Sequence, residues 1–213
     1  MRTFLGVLGI ALSLVSCRSA YYGTMEAFGV HKREILVDRV GEARDEQLEA
    51  KERFQSALER FRALTGFRGG DLEELYERLE SDYEACESQA ASVGSHIDDV
   101  EDVADALFDE WRDEFDEYSD PGLREASATK LRETRTRARD LVGVMREAER
   151  AMRPVLAAFR DRVLFLKHNL NAQAIASLQD HALELETDIE RLVGQMEAAI
   201  REANAFIEAM PGA

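Results

Sequence analysis

The sequence predicts an all-α protein, an elongated antiparallel four-helix bundle with coiled-coil-like packing that follows a lipoprotein signal peptide. Three observations lead there. Apolar or small residues recur at alternating spacings of three and four through four long stretches. Turn-forming residues are scarce, with 3 prolines and 13 glycines in 213 residues. Two blocks of opposite charge flank a central Pro-Gly break. Hydrophobic residues make up 45% of the chain, enough for one core, so a single helical domain over residues 28–210 is expected.

The first stretch, residues 28–65, places Leu36, Val40, Ala43, Gln47, Ala50, Phe54, Ala57, Phe61 and Leu64 on one seam. Gly66, Gly69 and Gly70 then supply the positive φ a helix C-cap or tight turn needs. Asp71 and Glu74 have the spacing of a capping box for the second stretch. Its seam runs Leu72, Tyr76, Leu79, Tyr83, Cys86, Ala90, Val93, Ile97, Val100, Ala104, Leu107 and Trp111. At roughly 1.5 Å per residue this helix is ~70 Å long. The heptad drifts after Trp111, where Phe115 follows at a spacing of four after four.

Ser119-Asp120-Pro121-Gly122 reads as the next break, with a cap residue and a proline tolerable in the first turn. The third stretch carries Leu131, Thr134, Ala138, Leu141, Met145, Ala148, Met152, Val155, Phe159, Val163, Leu166 and Leu170. Pro154 lies inside it, and the pattern on both sides predicts a kink rather than an end. The fourth stretch carries Ile175, Leu178, Ala182, Leu185, Ile189, Leu192, Met196, Ala199, Ala203, Phe206 and Met210. Asn169 and Asn171 can end one helix and cap the next. No glycine or proline enforces a turn there, so the alternative to a reversal is one helix of nearly 90 residues.

Charge favours a central hairpin. Between Asp98 and Asp120 stand 12 acidic residues with only Arg112 opposing them, whereas Arg124, Lys130, Arg132, Arg135, Arg137 and Arg139 open the third stretch. Folding back at Pro121 sets the two blocks side by side. Over the whole chain 27 Lys and Arg face 43 Asp and Glu, a formal charge of -16. Such a surface repels phosphate backbones and anionic lipid, so nucleic acid is not an expected partner and any membrane attachment needs a dedicated anchor.

The N-terminus has the form of one. Arg2 precedes an apolar run from Phe4 to Val15, shaped like the h-region of an export signal. It ends in Leu14-Val15-Ser16-Cys17, which resembles a bacterial lipobox. A signal peptide over 1–16, a lipid on Cys17 and a tether over 17–27 follow. Two or three acyl chains would make attachment stable. Arg18 is not the Asp that marks inner-membrane retention in many proteobacteria, which favours the periplasmic face of the outer membrane. Processing leaves Cys86 as the one thiol of the mature chain, with no intramolecular disulfide to form. The tether puts the Pro121 turn at the membrane-proximal end and the Gly66 and Asn169 turns at the distal end.

Catalytic and metal signatures are missing. His31, His96, His168 and His181 are preceded at three residues by Phe28, Val93, Phe165 and Leu178, so no Glu-x-x-His pair exists for a di-metal bundle. Cys86 lies on the apolar seam, ten residues from His96. Neither a cofactor nor an enzymatic activity is expected. Asp98, Asp102, Asp105 and Asp109 recur on one helical face and are candidates for weak cation binding, without the glycine turn of a calcium loop. Pairing with the arginines of the third helix, together with solvation, accounts for most of that cluster. His168, Asn169, Asn171 and Gln173 gather at the distal turn as caps and as a candidate recognition surface. Trp111, Phe115 and Tyr118 read as core aromatics that close the hairpin.

Two longer strings carry a family likeness. Tyr21-Tyr22-Gly23-Thr24-Met25-Glu26-Ala27-Phe28-Gly29-Val30-His31-Lys32-Arg33-Glu34, continuing into Leu36 to Val40, is the first; Val163-Leu164-Phe165-Leu166-Lys167-His168-Asn169-Leu170-Asn171-Ala172-Gln173-Ala174-Ile175 is the second. In both the chain resembles a bacterial family catalogued as domain of unknown function 2959. That resemblance implies envelope proteins, often with lipoprotein-type N-termini, and no catalytic residue to carry over. The expectation is a noncatalytic periplasm-facing lipoprotein that acts as an envelope scaffold or protein-interaction module and self-associates or binds an envelope protein. The alternative is an envelope lipoprotein that binds cations or a small ligand.

Overall fold

The computed structural model describes residues 31–65, 72–169 and 171–210. The expected signal peptide, Cys17 and the tether lie outside the described residues, as does Asp71 of the expected capping box. Among the described residues there are four helices, α1 (Lys32–Thr65), α2 (Leu72–Asp113), α3 (Pro121–His168) and α4 (Ala172–Ala209), and one 3-10 turn at Glu114–Glu117. The outer pair spans 34 and 38 residues and the central pair 42 and 48, the long central hairpin that the sequence predicts. Helix α2 ends earlier than the apolar pattern suggests. Asp113, Glu114, Asp116 and Glu117 crowd its C-terminal end, where the helix dipole is already negative.

Ion pairs and hydrogen bonds show how the helices run. From Lys32 to Arg53 to Arg60 along α1, the partners on α2 retreat from Glu110 to Gln89 to Asp82, so the two are antiparallel. Arg44, Lys51 and Arg62 meet Asn204, Glu197 and Glu186 of α4 in the same descending order. Trp111, Asp98 and Glu80 of α2 meet Ser127, Arg146 and Lys167 of α3. Each helix packs on its two sequence-adjacent or ring-closing neighbours, α1 on α2 and α4, α3 on α2 and α4. This is an up-down-up-down bundle.

The Pro121 break works through its cap. The Asp120 carboxylate accepts from the backbone N–H of Gly122 at 2.7 Å and of Leu123 at 3.2 Å, with Pro121 in the first turn. A Cβ on Gly122 would stand 3.2 Å from that carboxylate oxygen. The break at Asn169, at the end far from the start of α1 and called distal for that, is a reversal. Asn169 closes α3 twice, its N–H donating to Leu166 O at 3.0 Å and its Nδ2 to Phe165 O at 2.9 Å. The Asn171 carbonyl then accepts the Ile175 N–H at 3.3 Å and opens α4. Helix α3 runs unbroken through the exposed Pro154.

The seams define the core. Every α3 seam residue from Leu131 to Leu166 is buried, and on α1 so are Leu36 through Phe61. Ile35, Leu58, Val103 and Phe108 are buried beyond the seams, because a bundle helix contacts two neighbours and needs a stripe wider than a two-stranded seam. The core changes character along its length. Ala43, Ala50, Ala148, Ala199 and Ala203 are fully buried towards the proximal half, while Phe54, Phe61 and Phe159 fill the distal half. There Tyr83 meets Phe159 edge to face, ring centres 6.0 Å apart.

Candidate functional site

The distal turn brings together the residues that the sequence singles out there. His168 is exposed at the last position of α3, Asn169 is half-buried, and Asn171 and Gln173 are exposed. The two asparagines do backbone work, as the hydrogen bonds above show. Beside them Leu164 is 42% and Phe165 39% exposed, apolar groups that no seam position requires. Lys167 reaches Glu80 of α2 at 3.8 Å, tying this end of α3 to its neighbour.

The four aspartates do not converge on one point. Asp98 is drawn to α3, where the Arg146 guanidinium also binds Glu101, Glu149 at 3.1 Å and the carbonyl of Gly94 at 3.4 Å. Burial lowers the Arg146 pKa, but its hydrogen bonds to Glu101, Asp98 and Glu149 more than offset this, so it is held above the usual arginine value. Asp102 is half-buried, Asp105 is exposed, and Asp109 pairs with Arg112 on its own helix at 3.1 Å. Among the described residues no group of three or more His, Cys, Asp or Glu side chains is arranged to hold a metal ion.

Pairing between the acidic and basic blocks is sparser than their sequence suggests. Arg124 meets Asp116 at 3.1 Å, and Arg135 lies over the Phe108 ring with its guanidinium carbon 5.9 Å from the ring centre. Arg132 instead binds Glu125 at 3.4 Å and Lys130 binds Glu133 at 3.8 Å, both within α3. Outward-facing side chains find partners one or two turns away on their own helix more readily than across a groove.

At the proximal end the Trp111 indole N–H donates to Ser127 Oγ at 2.8 Å and the Tyr118 hydroxyl reaches the same oxygen at 3.1 Å. None of the three is a core residue as the sequence suggests: Trp111 and Phe115 are half-buried against the core and Tyr118 is 38% exposed, because the described parts of the outer helices do not cover this end of the hairpin. An open cleft of about 680 Å3 lies beside these aromatics where α1 begins, and the Lys32–Glu110 pair, at 2.9 Å, forms part of its lining.

Cys86 is 1% exposed. Burial, then the charge of Asp82, push its thiol from 9.0 up to about 12, so it stays protonated and unreactive at neutral pH. His96 is half-buried, with Nδ1 3.0 Å from the Ser92 carbonyl, and His31 is exposed at the start of α1. The polar residues that sequence reasoning missed are structural. Gln89, adjacent to seam residue Ala90, donates to Glu46 Oε2 at 2.6 Å and to its carbonyl at 3.2 Å, while accepting from Arg53 at 3.1 Å. Arg146 was hidden next to seam residue Met145. A seam residue as immediate neighbour is the only signal either one carried.

A family model described as Protein of unknown function (DUF2959) matches residues 21–210. The chain belongs to this family. The match spans all four helices and both strings that carry the resemblance. No curated protein and no solved structure matches the chain. DUF2959 membership thus adds kinship without chemistry, and the geometry of the two bundle ends carries the functional argument.

Proposed function

We propose that this chain is a noncatalytic scaffold or protein-interaction lipoprotein, anchored through acyl chains on Cys17 and facing the periplasm from the outer membrane. The observation that carries the reading is the reversal at Asn169–Asn171. It closes the chain into a bundle with a distinct distal end, where Leu164, Phe165 and His168 are exposed beside Asn171 and Gln173. Apolar groups ringed by amides and an imidazole are the makings of a modest protein-docking patch. Among the described residues no helix is long and apolar enough to cross a membrane. The buried, protonated Cys86 supports a noncatalytic role.

Two measurements test this. Mass spectrometry of the mature protein should find an acylated Cys17 at the N-terminus, and Cys17→Ser should release the chain from membranes; an unmodified cysteine refutes the anchor. A photo-crosslinking residue at His168 or Gln173 in cells should capture one reproducible envelope protein that the same probe at Glu147, exposed at mid-bundle, does not. No adduct at the distal positions counts against the scaffold. The cleft beside Trp111 favours, as a second reading, binding of a small ligand at the proximal end, for which calorimetry with calcium, magnesium and cationic ligands gives heat only if that reading holds.

A further inference from the structure

The outer face formed by α2 and α3 carries opposite charge on its two banks. A shallow groove between the helices is lined by Glu101, Asp105 and Phe108 from α2 and by Arg135, Arg139 and Val142 from α3, with Ala104 and Ala138 buried beneath. Asp105, Arg135 and Arg139 are all exposed. Asp105 and Arg139 form no salt bridge among the described residues, although they line the same groove. One level further from the hairpin turn Arg146 already bridges the two helices by pairing with Asp98 and Glu101, whereas Asp105 and Arg139 keep their charges for another partner.

We propose that this α2–α3 face binds a second copy of the chain, in a dimer whose two-fold axis runs parallel to the bundle axis, Asp105 of each copy meeting Arg139 of the other. The axis follows from the charges. A two-fold along the helices lays α2 of one copy over α3 of its partner at the same height, acid on base, twice. A two-fold across the helices would lay α2 on α2 and α3 on α3, like charge on like, which is repulsive. The shallow groove with its small buried floor lets the partner's side chains settle between the banks, and the contact is dominated by charge, hence weakened by salt. The parallel arrangement starts both copies of α1 at the same end, so both tethers could enter one bilayer. The dimer does not depend on the anchoring proposed above, but anchoring would raise its effective concentration.

The test exploits the pairing logic. In the full-length chain in excess detergent micelles, sedimentation should show a monomer–dimer equilibrium in the micromolar range that shifts to monomer as salt is raised. Asp105→Arg and Arg139→Asp should each weaken dimerisation at least tenfold, since both contacts become like-charged. An equimolar mixture of the two variants should restore wild-type affinity to within threefold, because their heterodimer has two complementary contacts. Rescue in trans cannot arise from a charge pair within one chain, and unchanged circular dichroism of each variant excludes misfolding. Energy transfer between copies both labelled at Leu123 should be strong, and between Leu123 of one and Leu164 of the other weak. A monomeric wild type overturns the proposal and leaves the face to another kind of partner. Dimers without rescue in trans, or the opposite energy-transfer pattern, overturn this interface.

Discussion

The distal half of the bundle and the tip of the central hairpin are built from the same kind of amphipathic helix and end in opposite states. Around Phe54, Phe61 and Phe159 four helices close on one another, and each aromatic is at most 1% exposed. At the other end Lys32 at the start of α1 is level with Glu110, and Ala209 at the end of α4 lies beside Thr134. The hairpin therefore continues past the described parts of both outer helices. Residues 121–130 of α3 are exposed apart from the half-buried Ser127 and Ala128, and Leu123 is 61% exposed. These first ten residues of α3 amount to roughly 15 Å of helix. Helix there is held by caps, by local ion pairs and by the shared Ser127 hydroxyl. In the distal half it is held by burial, which is the larger force.

The sharpest way to break that comparison is to remove one large side chain from each region. Phe159→Ala should cost about 3–5 kcal/mol in denaturant unfolding, whereas Leu123→Ala should stay within ~0.5 kcal/mol; similar losses would mean that the hairpin tip is packed after all. A smaller difference is expected between two arginines. Arg146→Ala strands three carboxylates of the α2–α3 interface and should cost about 1–3 kcal/mol, against less than ~0.5 kcal/mol for Arg124→Ala, whose pair with Asp116 is exposed.

Alkaline pH probes the distal core. The folded-state pKa of Cys86 is raised to about 12 from 9.0, so above pH 9 the unfolded chain loses this proton first. Stability from this group is complete below pH 9 and falls as pH rises towards 12, by on the order of 1 kcal/mol per pH unit at most. Tyr76, raised from 10.0 to about 12 by its hydrogen bond to Glu80 and by burial, acts in the same direction above pH 10. Cys86→Ala should flatten the decline between pH 9 and 10, and an unchanged pH profile would show that the thiol titrates normally. The least global effect belongs to the tip. Asp120→Ala removes two cap hydrogen bonds worth about 1 kcal/mol. It should appear as faster amide exchange at residues 122–126 with little change in the unfolding midpoint.

Most of the fold was legible in the sequence, and little of the site was. The α3 seam from Leu131 to Leu166 could be read residue by residue, because burial on a helix follows a local period. The reversal at Asn169 was foreshadowed by two asparagines, but the alternative of a continuous helix was settled only by where the Asn169 and Asn171 backbone groups bond. The acidic block was visible as composition, yet its partners were not. Asp98 and Asp109 share a helical face in the sequence, but one turns to Arg146 on α3 and the other to Arg112 on α2.

By itself, then, the sequence determined where the helical stretches run and the stripe each must bury, since these depend on residues a few positions apart. Only the tertiary structure decided which helices are neighbours, which carboxylates meet which arginines, and where the core accepts a polar group. Gln47 shows why. On the seam it occupies an ordinary apolar position, but it is fully buried, and its Nε2 reaches across the bundle to the Met145 carbonyl at 3.4 Å while its Oε1 has no hydrogen-bond partner. A contact between diagonal helices depends on the rotation and height of both about the common axis. Those are set by the packing of every side chain in the core together, and no local period encodes them.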